Sequence, residues 1–495
     1  MDFREKANFN KAPLSIKNMD IEIFGGKDEI GGNKILIGHK GTKIILDFGM
    51  SFNQATKYYC EFLQPRKGQG LTDFFEFNLL PDINGIYRGD YLRHNGKKKE
   101  SKEVDAIFLT HAHADHAQYI HFLREDIPIY CSKETKTILK VLEETGSNPF
   151  SDFITSCESF VFYINTKGEL SKIDRRKKEF IRERQFKVVK PNETINIGSL
   201  KVEMVPVDHS LPGCCAIIIY SDEGNIVYTG DIRFHGSNPE LSKKFVEKAE
   251  KSKPTWFLCE GTRIDEMRID SEEYVKKTIT KLISEAKGLV FLEHPIRDLD
   301  RVKTIFDSAK EKNRKFVINT KLAYLISELG SESPFKLDDV RILIPAKEWG
   351  LVCRNNVHVA HNGKIMQNNN VKSDLIEKEY ESWERQFINH KNAINCLELK
   401  KNQSKYVVSM NFWEIKNLID IHPENAIWIK SSCEPFCDEM ELDEKRKRNW
   451  LKHFGIKEFS AHASGHASGG EIRDMIKQIN AKNLIPIHTE HPEMF

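Results

Sequence analysis

The sequence lacks any apolar run of the roughly 20 residues that cross a bilayer. Its longest apolar stretches, such as 216–220, have the length of buried strands. No apolar signal region follows residues 1–6, which predicts that the chain carries no secretion signal. There is also no internal repeat and no low-complexity tract. These absences argue against a membrane, secreted or repeat protein and predict a cytoplasmic one.

Neither sign of charge dominates, because 75 lysines and arginines face 73 aspartates and glutamates, for a formal net charge of +2. This balance neither demands nor excludes an anionic partner, so only local patches are informative. The 10 cysteines have no framework spacing, and reduced thiols are the simpler interpretation. Cys433 and Cys437 have no second pair that would complete a zinc knuckle.

The length of 495 residues predicts more than one domain. The N-terminal part contains short β-branched runs between glycines, which are typical of strands. From about residue 254 the pattern changes to alternating strands and helices, which predicts a parallel α/β unit. The clearest of these signals are a strand at 289–292, a helix at 299–310, a strand at 315–318 and a last strand at 484–487.

The most informative segment is Thr-His-Ala-His-Ala-Asp-His at 110–116, which directly follows a predicted apolar strand. Because side chains alternate along a strand, His111 and His113 share a face and can converge on one ion. The chain must then turn for Asp115 and His116 to reach a neighbouring ion. A lone histidine is usually structural, but four ligand residues in six positions predict a centre for zinc or manganese.

Further ligand candidates recur at one kind of position, directly after an apolar strand. Open α/β sites collect side chains from distant parts of the sequence in this way. An aspartate suits a bridging role, because its two oxygens can serve two cations about 3.5–4 Å apart. Asp47, after the strand at 43–46, is a candidate to orient a ligating histidine through its ring N–H. The further ligand candidates are His209, Asp231 and His488.

The segment 111–116, followed by His209 and Asp231, resembles the motif series of the metallo-β-lactamase superfamily, with Asp47 at the first motif position. This series is highly specific for the fold. The resemblance extends over nearly the whole chain from about residue 21. It implies an α/β protein whose principal domain is an αββα sandwich.

Three later motifs narrow the resemblance to the β-CASP nucleases, and within them to ribonuclease J and its archaeal relatives. Residues 259–262 are similar to motif A, 464–466 to motif B and 486–488 to motif C. The β-CASP domain is then a parallel α/β insertion, in agreement with the change of pattern near residue 254. The implied limits are 18–253 for the first part of the metallo-β-lactamase domain, 254–454 for the β-CASP domain and 455–495 for the completion of the first domain.

The resemblance also implies two divalent metal ions, with zinc as the default and manganese compatible with the same ligands. His466 would contact the scissile phosphate and supply a proton to the leaving group, and Glu260 would orient His466. Asp115 and Asp231 complete the predicted catalytic set. The implied ligands are His111, His113 and His209 for one ion, Asp115, His116 and His488 for the other, and Asp231 as the bridge.

A 5′-phosphate pocket similar to that of ribonuclease J is present in part. The matching stretch at 292–301 has no serine, and Glu293 would repel a phosphate. The other half of the pocket, around His462, Ser464 and Gly465, is present. The helix start near Ser468 could hold a phosphate on its backbone N–H groups, or be an ordinary serine–glycine cap. Exonuclease and endonuclease modes therefore both stay open. The predicted substrate-binding residues are His462, Ser464, Gly465 and Ser468.

The predicted function is a metal-dependent ribonuclease acting on single-stranded RNA. Histidine at motif C, here His488, is usual for members that act on RNA, whereas DNA-acting relatives carry a small apolar residue. A DNA-directed nuclease stays open, because no residue is identified that contacts the ribose 2′-OH. Hydrolysis of small esters or lactones and RNA binding without catalysis are two less favoured functions, and a homodimer is compatible with each.

Two local patches have two interpretations each. The basic run at 175–187 could line a nucleic-acid path or form a solvated face with interspersed glutamates. The three phenylalanines within 74–77 could stack on bases or anchor the long loop at 58–102. The segments 58–102 and 146–187 are both longer than the family resemblance leads us to expect.

Overall fold

A computed structural model of the chain describes residues 14–16, 18–98, 100–172, 178–267, 270–353, 357–368, 373–435 and 438–495. The chain divides into two compact units: unit 1, Met1–Ile269 with Gly465–Phe495, and unit 2, Asp270–Ser464. Cys437 and the start of the basic run, 175–177, lie outside the described residues. Within the described ranges, the helices include none with the length and apolarity needed to span a membrane.

Unit 1 is built on two larger sheets, with small strand pairs beside them. Its strands in chain order are β1 (Leu14–Ile16), β2 (Met19–Gly25), β3 (Lys34–His39), β4 (Thr42–Phe48), β5 (Ala106–Phe108), β6 (Ile129–Cys131), β7 (Thr155–Cys157), β8 (Phe162–Ile164), β9 (Leu170–Lys172), β10 (Ile181–Glu183), β11 (Phe186–Val188), β12 (Thr194–Ile197), β13 (Leu200–Pro206), β14 (Cys215–Tyr220), β15 (Ile226–Tyr228) and β16 (Trp256–Glu260). The strand β26 (Asn483–Ile487) returns to this unit after unit 2.

The two sheets pack face to face as a sandwich. The first has the strand order β1-β2-β3-β4-β5-β6-β11 and the second the order β12-β13-β14-β15-β16-β26. In the first sheet the pairings from β1 to β4 are antiparallel and those from β4 to β11 parallel. In the second sheet the pairings from β12 to β15 are antiparallel and those from β15 to β26 parallel. Alternate residues of both sheets, among them Ile44 and Leu46 of β4 and Ile217 and Tyr228 of the second sheet, form one buried core. This packing brings the carboxyl ends of the parallel strands close to the predicted metal ligands.

Helices accompany these sheets. The longer ones bury an apolar stripe at helical spacing, as α6 does with Phe245, Val246 and Ala249. The helices of unit 1 are α1 (Phe52–Thr56), α2 (Thr72–Glu76), α3 (Gly89–His94), α4 (Ala114–Ala117), α5 (Lys133–Thr145), α6 (Pro239–Lys251) and α15 (Gly469–Ile479). The predicted αββα fold class is confirmed.

Unit 2 is built on a seven-stranded sheet in which every pairing is parallel, with the order β22-β19-β18-β23-β17-β24-β25. Its strands are β17 (Val290–Glu293), β18 (Lys315–Asn319), β19 (Arg341–Leu343), β20 (Val357–His361), β21 (Lys364–Asn368), β22 (Ala393–Ile394), β23 (Tyr406–Ser409), β24 (Ile427–Lys430) and β25 (Lys457–Ser460). Its helices are α7 (Glu272–Glu285), α8 (Leu299–Glu311), α9 (Thr320–Leu329), α10 (Ser373–Glu377), α11 (Arg385–Ile388), α12 (Cys396–Lys401), α13 (Asn417–Ile421) and α14 (Asp438–His453).

The alternation predicted from residue 289 onward is therefore present as β17, α8 and β18. Residues 290–292 of β17 and 406–408 of β23 are continuous apolar runs buried on both faces, as expected for a parallel sheet covered by helices. Strand β16 pairs with β15 and β26 in unit 1, so the boundary between the units falls after it, at residues 269 and 270.

Candidate metal centre

The histidine segment begins where β5 ends and turns into the short helix α4. His113 has an extended backbone, with φ −70° and ψ 152°, and is the N-cap of α4. His111 and His113 therefore precede the turn, whereas Asp115 and His116 lie on the first helical turn. This is the change of direction that the sequence predicts for ligands of two neighbouring ions.

One group of donor atoms is formed by His111, His113, His209 and Asp231, whose ligand atoms all lie within 4.8 Å of one another. His113 Nδ1 lies 3.0 Å from His111 Nε2 and 3.2 Å from His209 Nε2. Asp231 Oδ2 lies 3.5 Å from His111 Nε2 and 3.7 Å from His209 Nε2. Three imidazoles and a carboxylate in this arrangement match the ligand set of a divalent transition metal.

A second group is formed by Asp115, His116, Asp231 and His488. His116 Nε2 lies 3.2 Å from Asp231 Oδ1, and His488 Nε2 lies 3.2 Å from Asp115 Oδ2. His488 Nε2 is also 3.7 Å from Asp231 Oδ1. The structure thus brings together all seven residues predicted as ligands, although they come from distant parts of the chain.

Asp231 belongs to both groups, with Oδ2 toward the first and Oδ1 toward the second. Both oxygens, and His116 Nε2, are buried without a hydrogen-bond partner. Burying a polar atom without a partner is costly, so such atoms need a ligand to satisfy them. Divalent cations would satisfy all three atoms, and the donor set therefore fits the metal that the sequence predicts.

Burial and neighbouring charges act in opposite directions on the pKa values of the histidines in the centre. Burial is the main cause that holds the pKa of His111 and of His209 well below the usual value, which keeps these rings neutral as ligands require. Burial also opposes a charge on His116, but Asp231, Asp47 and Asp115 outweigh it and raise the pKa of His116 well above its usual value. The same attraction to histidines lowers the pKa of Asp231, against its burial.

Asp47 orients His116 from the side away from Asp231. Its Oδ2 lies 2.8 Å from His116 Nδ1, and its Oδ1 accepts a hydrogen bond of 2.8 Å from the backbone N–H of Thr110. Tyr228 Oη donates to Asp47 Oδ2 at 2.6 Å, and Asn33 Nδ2 donates to Tyr228 Oη at 2.8 Å. The sequence pattern identifies Asp47 itself but neither Tyr228 nor Asn33.

Two other ligands are oriented by atoms within the segments predicted as motifs A and B. His209 Nδ1 donates to the backbone carbonyl of Gly465 at 2.6 Å. His488 Nδ1 lies 2.8 Å from Thr262 Oγ1, within the segment predicted as motif A. Fixing the outer nitrogen of each ring directs the inner Nε2 to the metal position. The Gly465 contact is made by backbone, so it leaves no signal in the identity of a side chain.

Glycines let the chain approach Asp115 closely. A Cβ at Gly49 would lie 1.7 Å from the backbone oxygen of Asp115, and one at Gly31 would lie 2.8 Å from Asp115 Oδ2. Gly31 also has φ of +80°, a conformation that other residues rarely adopt. The loops before β3 and after β4 can therefore close over Asp115 only with glycine at these positions.

Glu260 and His466 form a third cluster beside the metal ligands, together with His488. His466 Nδ1 lies 3.2 Å from Glu260 Oε1, and His466 Nε2 lies 4.0 Å from Asp231 Oδ2. Burial lowers the pKa of His466, but attraction by Glu260 and Asp231 outweighs it and raises that pKa to about 9. Glu260 is fully buried and is fixed by the backbone N–H groups of Ile232 and Thr262.

Comparison with known families identifies two parts of the chain. Residues 78–249, which contain six of the predicted site residues, match the Beta-lactamase superfamily domain. Residues 456–494 match the Zn-dependent metallo-hydrolase RNA specificity domain, and this match includes His466 and His488. The chain therefore contains a metallo-β-lactamase superfamily domain.

Several curated relatives of this chain are named ribonuclease J. The protein from Mycoplasma pneumoniae is 24% identical over 507 residues, which is 100% of this chain and 71% of the relative. The protein from Pyrococcus abyssi is 21% identical and covers 96% of this chain and 90% of the relative. The match to the protein from Mycolicibacterium smegmatis, 26% identical over 312 residues, spans 61% of this chain and only 45% of that relative. The predicted resemblance is confirmed.

Among solved structures, a crystallised protein of unknown function from Enterococcus faecalis V583 shares the fold of this chain. The TM-score is 0.69, with 23% sequence identity over 97% of this chain and 96% of that one. At this level of identity the likeness concerns the fold alone.

The predicted substrate-binding residues divide between the two units. His462 and Ser464 belong to unit 2, where His462 Nδ1 lies 3.3 Å from Arg301 Nη1. Gly465 belongs to unit 1 and supplies the carbonyl that orients His209. Ser468 is the N-cap of α15 in a capping box with Glu471, and its side chain is fully buried. The structure therefore favours the capping role of Ser468 over a phosphate contact.

The structure changes the interpretation of Glu293 and supports one of the two interpretations of the phenylalanines. Repulsion of a phosphate by Glu293 assumes an unpaired anion, but its Oε2 accepts hydrogen bonds from Lys447 Nζ at 2.7 Å and Trp428 Nε1 at 2.8 Å. Its charge is therefore compensated by a buried ammonium. Phe74 is buried among other aromatic rings, and Phe77 stacks on Tyr58 at 4.1 Å between ring centroids, so the phenylalanines within 74–77 anchor the loop.

Proposed function

We propose that this chain is a metal-dependent ribonuclease that hydrolyses phosphodiester bonds in single-stranded RNA. The observation that carries the proposal is the match of 456–494 to an RNA specificity domain, because this stretch supplies His466 and His488 to the cluster around Asp231. The full-length likeness to ribonuclease J from Mycoplasma pneumoniae supports the same substrate. We assign the activity, substrate and partners of that relative to this chain as a proposal.

The proposed cofactor is one divalent cation in each donor group, with Asp231 as the bridge and zinc as the ion. The family description of a Zn-dependent metallo-hydrolase supports zinc, and the imidazole-rich first group suits it. When bound, such ions make water a nucleophile at neutral pH and offset the charge of a phosphate under attack.

The chain's own residues position the reaction around these ligands. Asp47, Gly465 and Thr262 fix the outer ring nitrogens of three ligating histidines, so that their Nε2 atoms face inward. His466, a clustered imidazole that lies outside both donor groups, is proposed to hold the proton for the leaving oxygen. Glu260 holds His466 by Nδ1, which leaves Nε2 toward the reacting phosphate.

Three further assignments accompany this proposal. Unit 2, with its parallel sheet, is proposed to be the β-CASP domain, and Gly465, His462 and Ser464 to contribute to substrate binding. Cytoplasmic location and a homodimer stay predictions from the sequence.

The test is incubation of the purified chain with single-stranded RNA and DNA oligonucleotides of the same sequence, with zinc or manganese supplied. Each strand carries a 5′-phosphate, 5′-triphosphate or 5′-hydroxyl. We expect cleavage of RNA. Release of mononucleotides from the 5′-phosphate strand indicates exonuclease action, and internal fragments from every strand indicate endonuclease action.

The matched control is Asp231→Asn, which removes the shared ligand and excludes a contaminating nuclease if cleavage disappears with it. Cleavage of DNA with intact RNA would contradict the choice of substrate. Intact RNA and DNA, with hydrolysis of small esters or lactones by the same preparation, would contradict nuclease action altogether.

A further inference from the structure

A two-stranded arm extends from unit 1 within the long segment 146–187. At its base β7 pairs with β10, and the N–H of Glu158 continues this ladder by donating to Phe180 O at 2.9 Å. Beyond the base, β8 pairs with β9 as a separate antiparallel hairpin. We call residues 162–172 the arm tip.

The base of the arm is tied firmly into unit 1. Glu143 accepts hydrogen bonds from the backbone N–H groups of Phe153 and Ile154, at 2.7 and 2.6 Å. Arg184, which is buried, donates to the carbonyls of Leu123 and His121 at 2.5 and 2.8 Å. The base is therefore anchored in unit 1.

The arm tip exposes large apolar side chains side by side. Phe162 is 52% exposed, Tyr163 49%, Ile164 65% and Leu170 69%. No residue of β8 or β9 is buried. A single exposed apolar residue needs no explanation, but a contiguous group marks a binding surface. A two-stranded hairpin is only marginally stable by itself, so a partner that covers these side chains would also stabilise it.

Two lysines of the arm tip, Lys167 and Lys172, lie among the same side chains, against the one carboxylate of Glu169. In the ladder Phe162 is opposite Lys172, so an ammonium lies beside this ring on the same face. Lys167 in the turn is exposed as well. In sequence, 162–187 carries nine lysines and arginines against four aspartates and glutamates, a net charge of +5, whereas the whole chain has +2. The partner is therefore expected to be an anion.

We propose that the arm tip binds single-stranded RNA outside the metal centre. Phe162 and Tyr163 stack on bases, and Lys167 and Lys172 contact phosphates. Because successive strand residues point to opposite faces, the two rings lie on opposite sides of the hairpin. Rings on both faces suit stacking on more than one base, and the phosphates of RNA complement the two lysines. This inference rests on the proposed function, since it names RNA as the partner.

The experiment measures binding of a fluorescein-labelled single-stranded RNA oligonucleotide to the full chain in EDTA, by fluorescence anisotropy across a salt series. For Phe162→Ala/Tyr163→Ala we expect Kd to rise about tenfold or more, from the loss of two stacking platforms. For Lys167→Gln/Lys172→Gln we expect the slope of log Kd against log salt to fall by about 1.4, as for two lost phosphate contacts. With metal supplied, KM for the same RNA rises while kcat is unchanged.

Matched controls are Phe62→Ala, which removes a ring that is 88% exposed elsewhere on unit 1, and Lys190→Gln/Lys251→Gln, which neutralises two exposed lysines away from the tip. Both should bind RNA as the unchanged chain does. Kd and salt slope that stay unchanged in both tip variants would overturn the inference. So would loss of binding to vesicles of acidic phospholipid in the tip variants, with RNA binding intact.

The two proposals fail separately. If the unchanged chain cleaves RNA and the tip variants bind it normally, the arm inference is wrong and the ribonuclease proposal stands. If the unchanged chain binds RNA through the tip but cleaves neither RNA nor DNA, the arm inference stands and the proposed activity is wrong.

Discussion

Asp47 Oδ2 lies 2.8 Å from His116 Nδ1, on the opposite side of the imidazole from Asp231. A carboxylate at this distance keeps the ring proton on Nδ1, so Nε2 is available as a ligand atom. Asp47 adopts a left-handed backbone conformation with φ of 54°, which costs energy for a residue other than glycine. Thr110, Tyr228 and His116 together hold it there.

Asp47→Asn should weaken metal binding without removing any ligand. The amide is neutral and no longer stabilises the proton on His116 Nδ1, and loss of such an outer partner typically lowers metal affinity about 10- to 100-fold. The measurement is competition with a chromophoric zinc chelator. Asp307→Asn, which breaks an exposed ion pair with Lys303 in unit 2, is the matched control and should leave affinity unchanged. Equal affinities in both variants would contradict the orienting role.

His466→Ala should abolish most cleavage and leave the metal content intact. His466 is outside both donor groups, and removal of a general acid typically costs about 10²–10⁴ in rate. Elemental analysis and kcat on the same preparation give the two quantities. Asp115→Ala is the comparison, because it removes a ligand and should lose metal together with activity. Full activity in either variant would show that the site is assigned incorrectly.

Gly49→Ala should disturb Asp115 through the backbone. The added Cβ would lie 1.7 Å from Asp115 O, a distance that no rearrangement of a side chain can relieve. Insertions into a packed site cost about 1–3 kcal/mol even when neighbours can shift, so the loss of unfolding free energy should reach at least that range. Chemical denaturation measures it. Gly68→Ala meets no atom within 4 Å and should be nearly neutral. A stable Gly49→Ala protein with normal metal content would disprove the close approach.

His294 should make unit 2 less stable in mild acid. Burial lowers the pKa of His294 from 6.5 to about 4, so between these values the unfolded chain binds a proton that the folded chain does not. The stability is therefore fully present above pH 6.5 and is lost as pH falls toward 4, by up to about 3 kcal/mol from this residue.

Tryptophan fluorescence can follow this loss, because five of the six tryptophans lie in unit 2. His294→Gln should flatten the dependence of unfolding free energy on pH between 6.5 and 4. His453→Gln, at an exposed position on α14, should keep the slope of the unchanged chain. If His294→Gln and the unchanged chain lose stability in parallel, the titrating group lies elsewhere.

The metal ligands can be predicted from the sequence because they directly follow apolar strands. His209, Asp231 and His488 each follow an apolar run, and β13, β15 and β26 end beside these residues. The apolar character of buried strands and the position of polar residues at their ends are local properties, so the sequence alone reveals them. The same holds for β17, α8 and β18 in the parallel sheet.

The partners that orient the ligands could not be predicted. Tyr228 is one apolar residue of a buried strand until the two sheets face each other, and only then does its hydroxyl reach Asp47. Glu293 looks repulsive in the sequence because its partner Lys447 is distant along the chain and joins it only through folding. Gly465 acts through its carbonyl, which every residue possesses. Long-range pairing and backbone contacts leave no pattern in residue identity.

Because β16 and β26 are adjacent strands separated in sequence by all of unit 2, the order of synthesis constrains assembly. Nascent chains grow at about 5–20 residues per second, so the roughly 200 intervening residues take about 10–40 s to appear. During this interval the first donor group has all its members, whereas the second lacks His488. A ribosome-bound chain is therefore expected to hold one ion before it can hold two, and to gain cleavage only once β26 has closed the second sheet.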